Sequence, residues 1–318
     1  MSSSLHSARV NAIRYEAKGV VSCELQLEVD TYMPFEPGAH IDIQLPNGLM
    51  RSYSLCNSSN DCRIYVVAIG RDVASRGASV WVHDKLRVGD LLKISSPRNN
   101  FPLHEDAVNS VFIAGGIGIT PIWCMIQRLQ ELGRNWSLHY ASRNRAHAAF
   151  LTQLQEAAAK GVGTLHLHFD DEFGGSPDVA AAIAAASKDA HFYCCGPQPM
   201  MASFEKATTA IPSERVHLEY FQTTQKASTD GGFELELVRS GLVLKVAAGQ
   251  SMLEVLLDAG IDVPFSCMDG ICGSCETKVL GGIPDHRDMV LTDSEKAIGS
   301  KVMVCCSGAK SSRLVLEL

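Results

Sequence analysis

The chain has 318 residues, 46% hydrophobic and 20% charged, a globular composition with length for two or three domains. Its formal net charge is −7 and no run of Lys/Arg suggests a surface for phosphates, so no nucleic-acid partner is expected. No stretch reaches the roughly 20 apolar residues of a membrane helix. The opening MSSSLHSARVNAIRYEAKG has no apolar core of signal-peptide length, so a cytoplasmic protein with no membrane partner is expected. In that compartment, eleven cysteines point to metal or redox work rather than a disulfide framework.

Residues 1–104 alternate short apolar runs with turn signals (GAHIDIQLP, RIYVVAIG, DLLKISSP), which predicts a small antiparallel β-barrel. Within it, RSYSL (Arg51, Ser52, Tyr53, Ser54 and Leu55) reads as an amphipathic strand. SRGASVWVHD places Gly77, Ala78 and Ser79 at a helix start, where free N–H groups and the helix dipole suit a phosphate. Arg76 would add a charge there.

Residues 105–224 change to four strand–helix units, the pattern of a parallel sheet covered by helices. AGGIGITP follows the apolar strand SVFI. Gly115, Gly116 and Gly118 allow a tight turn and close approach of a pyrophosphate, Thr120 is placed to cap, and Pro121 suits the first helical position. A second turn, CCGPQPM, also ends a strand, and two such turns at the carboxyl ends of parallel strands mark a ligand crevice. Arg143 and Arg145, in YASRNRAH, are placed to meet a nucleotide 2′-phosphate. Residues 225–232 are polar, Gly-ended and without apolar period, a linker.

Residues 233–318 open with a hairpin (FELELVRSGLVLKV) and a helix (SMLEVLLDAG). CMDGICGSCETKV then brings Cys267, Cys272 and Cys275 into one Gly-rich loop. With a fourth Cys from KVMVCCSGAK the spacing is C-x4-C-x2-C-x29-C if that residue is Cys305, the pattern of plant-type ferredoxins with a 2Fe–2S cluster. Gly270 and Gly273 let the loop wrap closely and leave N–H groups free for sulfur. Zinc sites usually pair their ligands as two short C-x2-4-C units, and buried structural cysteines are the plainer alternative. Spacing alone allows Cys305 or Cys306. Because KVMV alternates as a strand, these two should point to opposite sides. Cys23, Cys56, Cys62 and Cys124 have no ligand spacing and are assigned to packing. His166 and His168 share a strand face and are read as surface residues.

The whole chain resembles the phthalate dioxygenase reductase family, which includes vanillate demethylase reductases and supplies electrons to Rieske-type oxygenases. The resemblance rests on the cysteine loop, RSYSL, AGGIGITP, CCGPQPM and the order of the blocks. It implies a multidomain chain: an antiparallel β-barrel flavin domain, an α/β parallel-sheet nucleotide domain and an α+β plant-type ferredoxin (β-grasp) domain. It implies FMN rather than FAD, NADH rather than NADPH, and Cys305 as the fourth cluster ligand. In the same terms Arg51 supports the flavin phosphate end, Tyr53 packs on the flavin and Ser54 approaches its polar edge. Cys195, Gly196 and Pro197 lie beside the nicotinamide, and Phe221 covers the flavin face. One departure is Gly308, where relatives often carry Arg.

The function implied is an NADH-dependent reductase, passing electrons from NADH through FMN and the 2Fe–2S cluster to a separate Rieske-type oxygenase. The alternative is a non-catalytic electron-transfer or redox-sensing subunit, which need not retain both nucleotide turns.

Overall fold

The computed structural model describes residues 5–28, 33–46, 48–61, 63–72, 77–223 and 225–318. The chain divides into two compact units, one ending at Phe221 and one running Gln222–Leu318.

In the first unit β1 (His6–Ala17), β2 (Val20–Leu27), β3 (His40–Gln44), β4 (Met50–Ser54), β5 (Ile64–Gly70) and β6 (Leu91–Ile94) form one sheet in the order β4-β3-β6-β1-β2-β5. Every pairing in it is antiparallel. An isolated bridge, Leu55 to Val67, joins the strand continuing from one edge to the other edge strand and curls the sheet into a barrel. Alternation supplies the interior: Val10, Leu25, Ile41, Tyr65 and Ile94 are fully buried, each contributing roughly 1.5–3 kcal/mol relative to exposure. Helix α1 (Ala78–Lys85) starts after Gly77, whose φ of 98° is one a side chain rarely adopts.

The same unit holds a parallel sheet of β7 (Asn109–Gly115), β8 (Asn135–Ser142), β9 (Gly163–Phe169), β10 (His191–Cys195) and β11 (Val216–Glu219), ordered β11-β10-β7-β8-β9. Helices cover both faces. α2 (Ile119–Glu131) and α3 (Leu151–Ala159) pack on one through Ile122, Met125, Ile126 and Leu154. α5 (Val179–Ala184) and α6 (Gln198–Thr208), which follow the short α4 (Asp170–Phe173), pack on the other through Val179, Ile183, Met200 and Phe204. Cover on both sides explains why β7 reads as a continuous apolar run rather than an alternating one. Strand order reverses between β7 and β10, so the sheet has its switch point where the two Gly-containing turns emerge.

The second unit has β12 (Phe233–Leu237), β13 (Leu242–Val246), β14 (Glu276–Gly281), β16 (Lys301–Met303) and β18 (Arg313–Leu316), ordered β13-β12-β18-β14-β16. β12 and β18 run parallel in the middle of an otherwise antiparallel sheet. A small ribbon pairs β15 (Pro284–Asp285) with β17 (Gly308–Ala309). Helices α7 (Met252–Asp258) and α8 (Asp293–Ile298) each begin with a capping box, Ser251/Glu254 and Thr292/Glu295. The expected linker is laid on this unit: Ser228 N–H donates to the Cys306 carbonyl (2.7 Å) and Gly232 N–H to that of Val246 (2.8 Å). A Cβ on Gly308 would collide with the Ser228 side chain, so here the small residue makes room for that segment.

Candidate functional site: two nucleotide turns, a flavin strand and a cysteine loop

Cys267, Cys272, Cys275 and Cys305 are all at most 5% exposed, although three of them lie on a loop without regular structure. Three residues in that loop adopt left-handed backbone: Met268 (φ 58°), Gly270 (70°) and Gly273 (75°). Met268 is not glycine, and such a conformation persists only where the surroundings hold it. The Cys267 sulfur contacts those of Cys272 and Cys305 and accepts the Asp269 N–H at 3.3 Å; the Ser274 hydroxyl lies 3.2 Å from the Cys272 sulfur. The neighbouring Cys267 sulfur and then burial push the Cys272 thiol up. Buried thiols this close do not ionise together unless a cation compensates them, so the donor set fits a thiolate-bound iron cluster.

The strand expected to carry the fourth cysteine stops earlier than its pattern implies. β16 ends at Met303, and residues 304–306 form a turn in which Cys306 and Ser307 N–H both reach the Met303 carbonyl (3.3 and 3.0 Å). In this turn the two sulfurs do not part to opposite sides as an alternating strand would place them, but contact one another. Cys305 also contacts Cys267, whereas a Cβ on Gly270 would come within 2.5 Å of the Cys306 sulfur. Cys306 thus packs behind the loop, and Gly270 lacks a side chain where that sulfur needs space.

At the switch point the two turns touch. A Cβ on Gly118 would lie 2.5 Å from the Cys195 carbonyl carbon and 2.9 Å from the Gly196 nitrogen; one on Gly115 would strike the Pro197 ring. These glycines are needed for close approach of backbone to backbone, and Gly116 for its φ of 54°. Helix α2 starts at Ile119 after a 3-10 turn over Gly116–Gly118, two residues before the expected Pro121 start. The tight turn begins the winding early. Pro121 becomes the third helical residue, still among positions whose N–H has no helical partner, and the Thr120 hydroxyl donates to the Ile117 carbonyl (3.0 Å) instead of capping. Gly118→Ala should destabilise the chain by about 3 kcal/mol, because the clash is with backbone rather than with a movable side chain. Thermal unfolding would measure it, and a midpoint equal to the parent's would contradict the contact.

Cys195, Ala114 and Glu219 lie in register across β10, β7 and β11 at their carboxyl ends. The barrel reaches the same place, since the Ser54 hydroxyl donates to Glu219 Oε2 at 3.2 Å. The end of the RSYSL strand and both nucleotide turns therefore meet at one place. Desolvation pushes the Glu219 carboxyl up to about 8, with the Ser54 hydrogen bond opposing. Burial raises the Cys195 thiol well above the ordinary range.

The family described as an oxidoreductase NAD-binding domain matches residues 112–206, and that described as a 2Fe-2S iron-sulfur cluster binding domain matches residues 236–310. The chain is similar to phenoxybenzoate dioxygenase subunit beta of Ectopseudomonas oleovorans, at 49% identity over 98% of this chain and 97% of that one. It is 42% identical to phthalate dioxygenase reductase of Burkholderia cepacia, over 90% of this chain and 88% of that one. A solved phthalate dioxygenase reductase, described as a modular structure for electron transfer from pyridine nucleotides to a 2Fe-2S centre, superposes with a TM-score of 0.72. It is 38% identical, with 99% and 98% of the two chains covered. An intact type IV self-sufficient cytochrome P450 monooxygenase gives a TM-score of 0.88 at 35% identity; the match covers 99% of this chain but 41% of that enzyme. The chain belongs to the phthalate dioxygenase reductase family. It is an oxidoreductase with NAD-binding and 2Fe–2S parts, and the reading as a non-catalytic subunit falls away.

Ser52 is turned to the barrel, its hydroxyl donating to Asp42 Oδ1 at 2.6 Å, and Arg98 also pairs with that carboxylate (2.6 Å). Arg51 donates to the Met50 carbonyl (2.6 Å), and Tyr53 is partly buried against the barrel core. The Ser79 hydroxyl and Asp72 bond reciprocally (3.1 and 3.2 Å) at the start of α1, beside Gly77 and Ala78; Arg76 lies outside the described residues. Of the two arginines after β8, Arg145 pairs with Glu172 (2.7 Å) and covers the Phe169 ring, while Arg143 is exposed. Tyr220 is engaged by Glu205, and Phe221 packs on the cluster that includes Cys195. The sequence reading gave no role to Glu219. Its only signal was a place in HLEYF, since its partner Ser54 is distant in the chain.

Proposed function

We propose that this reductase takes hydride from NADH at the crevice between barrel and parallel sheet, and delivers electrons through FMN and the 2Fe–2S cluster to a separate Rieske-type oxygenase. The observation that carries this reading is the Ser54–Glu219 hydrogen bond, which brings the end of the flavin strand to the Cys195 turn. When bound, FMN accepts electrons as a pair and releases them singly, and the cluster takes them one at a time. Among the chain's own residues, Arg51 and the N–H groups of Gly77, Ala78 and Ser79 hold the flavin phosphate, with Arg76 adding charge; Tyr53 and Phe221 pack on the ring system. Ser52 supports the strand through Asp42. Gly115, Gly116, Gly118, Thr120 and Pro121 shape the pyrophosphate turn, and Cys195, Gly196 and Pro197 seat the nicotinamide. Cys267, Cys272, Cys275 and Cys305 hold the cluster.

NADH is favoured over NADPH because Glu172 already neutralises Arg145, leaving Arg143 alone to meet a 2′-phosphate. An oxygenase partner is supported by similarity to the phenoxybenzoate dioxygenase subunit and to vanillate O-demethylase oxidoreductase. None of the ten described cysteines is in a disulfide, which fits a cytoplasmic setting. Among the described residues no helix is long and apolar enough to cross a membrane. The test is turnover of candidate Rieske oxygenases with NADH and with NADPH; equal kcat/KM for the two nucleotides would contradict the preference.

Glu219 gives the reaction a pH dependence. Its carboxyl is raised from 4.5 to about 8, so it is neutral at pH 7. The stabilisation that follows is complete below 4.5 and is lost as pH climbs through about 8. Above that pH a carboxylate would stand beside Ser54 and Cys195, where a bound flavin would have to take up negative charge. Flavin reduction by NADH should slow as pH rises through this range, and Glu219→Gln should flatten the profile. A wild-type inflection persisting in Glu219→Gln would assign it to another group.

A further inference from the structure

Among the described residues, one group of three metal-ligating side chains lies away from the crevice and the cysteine loop: His104, His191 and His217, each offering one ring nitrogen, all within 4.8 Å of one another. His191 is the first residue of β10, and His217 is on β11 opposite Tyr193. His104 comes from the connection between β6 and β7, the segment that leads from barrel to parallel sheet. Tyr193 fixes this arrangement: its hydroxyl accepts the His104 backbone N–H (3.0 Å) and its ring stacks on His217 at 4.4 Å. The site sits at the amino ends of the strands. The nucleotide turn is at the other end of β10, roughly 13 Å away along the strand.

We propose that His104, His191 and His217 form a binding site for a borderline divalent cation of the zinc class, with water completing the coordination on the exposed His104 side. Nδ1 of His191 and Nε2 of His217 are 3.1 Å apart. That approaches the separation of about 3.3 Å between two nitrogens on one tetrahedral zinc with Zn–N near 2.0–2.1 Å. The ring planes differ by only 7° and the ring centres are 5.4 Å apart, so the two nitrogens face each other edge to edge in a hydrogen bond, and a modest turn of each ring about its Cβ–Cγ bond would aim both at one cation. His104 lies over both, at 4.8 Å from each ring, and as an exposed side chain it can turn its nitrogen inward.

Desolvation is the leading cause that lowers both half-buried imidazoles, with His104 adding to it in each; His217 falls to about 3. They are therefore in the neutral, ligating form at pH 7. The proton between His191 and His217 moves to the outer nitrogen of whichever ring carries it, so binding needs no net proton release. Two charges act on His191 from the turn before β11, Arg215 against a cation and Glu214 for it. Arg215 is turned to the Lys188 carbonyl. Three imidazoles with an open fourth position suit zinc, and also nickel or copper(II), better than magnesium or calcium. A bound ion would tie the connection ahead of β7 to two strands of the sheet.

The test is calorimetric titration of zinc chloride into the full chain with its cofactors, followed by thermal unfolding with and without zinc. One equivalent should bind and raise the unfolding midpoint. His104→Gln and His217→Gln should each weaken binding by about tenfold or more. His104 is exposed, so its variant removes a ligand without touching the core. NADH–ferricyanide activity should be the same in His104→Gln and the parent, because the site is remote from the crevice. Absence of zinc binding, or undiminished affinity in His104→Gln, would overturn the proposal. Bleaching of the visible spectrum in step with binding would put the metal on the thiolates and also overturn it.

Discussion

Cys305→Ser should lose the 2Fe–2S cluster or shift its visible and EPR spectra, while Cys306→Ser leaves both nearly unchanged. The Cys305 sulfur contacts Cys267 of the cysteine loop. Cys306 touches the Cys305 sulfur but no sulfur of the loop, lying beside Gly270 and 3.8 Å from the Met303 carbonyl. A serine oxygen is a harder and weaker partner for this iron than a thiolate, so replacing a true ligand removes much of the binding energy of a site whose folding depends on it. Replacing Cys306 changes a neighbour of the Cys305 sulfur and the packing of a small buried group, but removes no ligand. NADH–ferricyanide activity should survive in both variants, because flavin precedes the cluster. The reverse spectral outcome would move the fourth ligand one residue along the chain.

A chain ending at Gln222 should fold, retain FMN and reduce ferricyanide with NADH, yet give no measurable oxygenase turnover. Its basis is the division of the molecule at Phe221/Gln222 and the separation of the cores: Leu235, Leu256, Val302 and Leu314 pack within the second unit alone. The cut falls before Ser228, whose backbone is bonded to Cys306, so it removes the whole laid-on segment with the unit it belongs to. Gel filtration with flavin absorbance, then assays with ferricyanide and with an oxygenase, would check both halves. An insoluble fragment would mean the two units stabilise one another, and full oxygenase support would mean electrons leave directly from the flavin.

What the sequence revealed followed from how local each signal was. Cys267, Cys272 and Cys275 carry their geometry in their spacing, because one loop delivers all three. The glycines at 115, 116 and 118 announced a turn, but not that Gly118 and Cys195 meet backbone to backbone, since β10 lies far along the chain. The early start of α2 was hidden because a 3-10 turn leaves no mark that distinguishes it from the loop before a helix. Ser54 and Glu219 are 165 residues apart, and only docking of the barrel beside β11 makes them partners. The histidines follow the same rule. His166 and His168, read as surface residues from one short stretch, are exposed and half-buried respectively, with His166 stacked on His139 (4.4 Å) and His168 bonded to the Gly175 carbonyl (2.5 Å). His104, His191 and His217 have no motif, and parallel pairing of β10 with β11 brings two of them together.

The order of the electron route is the central claim, and anaerobic stopped-flow mixing of the purified protein with NADH tests it most directly. Flavin absorbance should fall first, with cluster absorbance following. In protein stripped of flavin, the cluster should stay oxidised. Cluster bleaching at an undiminished rate without flavin, or no bleaching of either chromophore on mixing, would contradict the account.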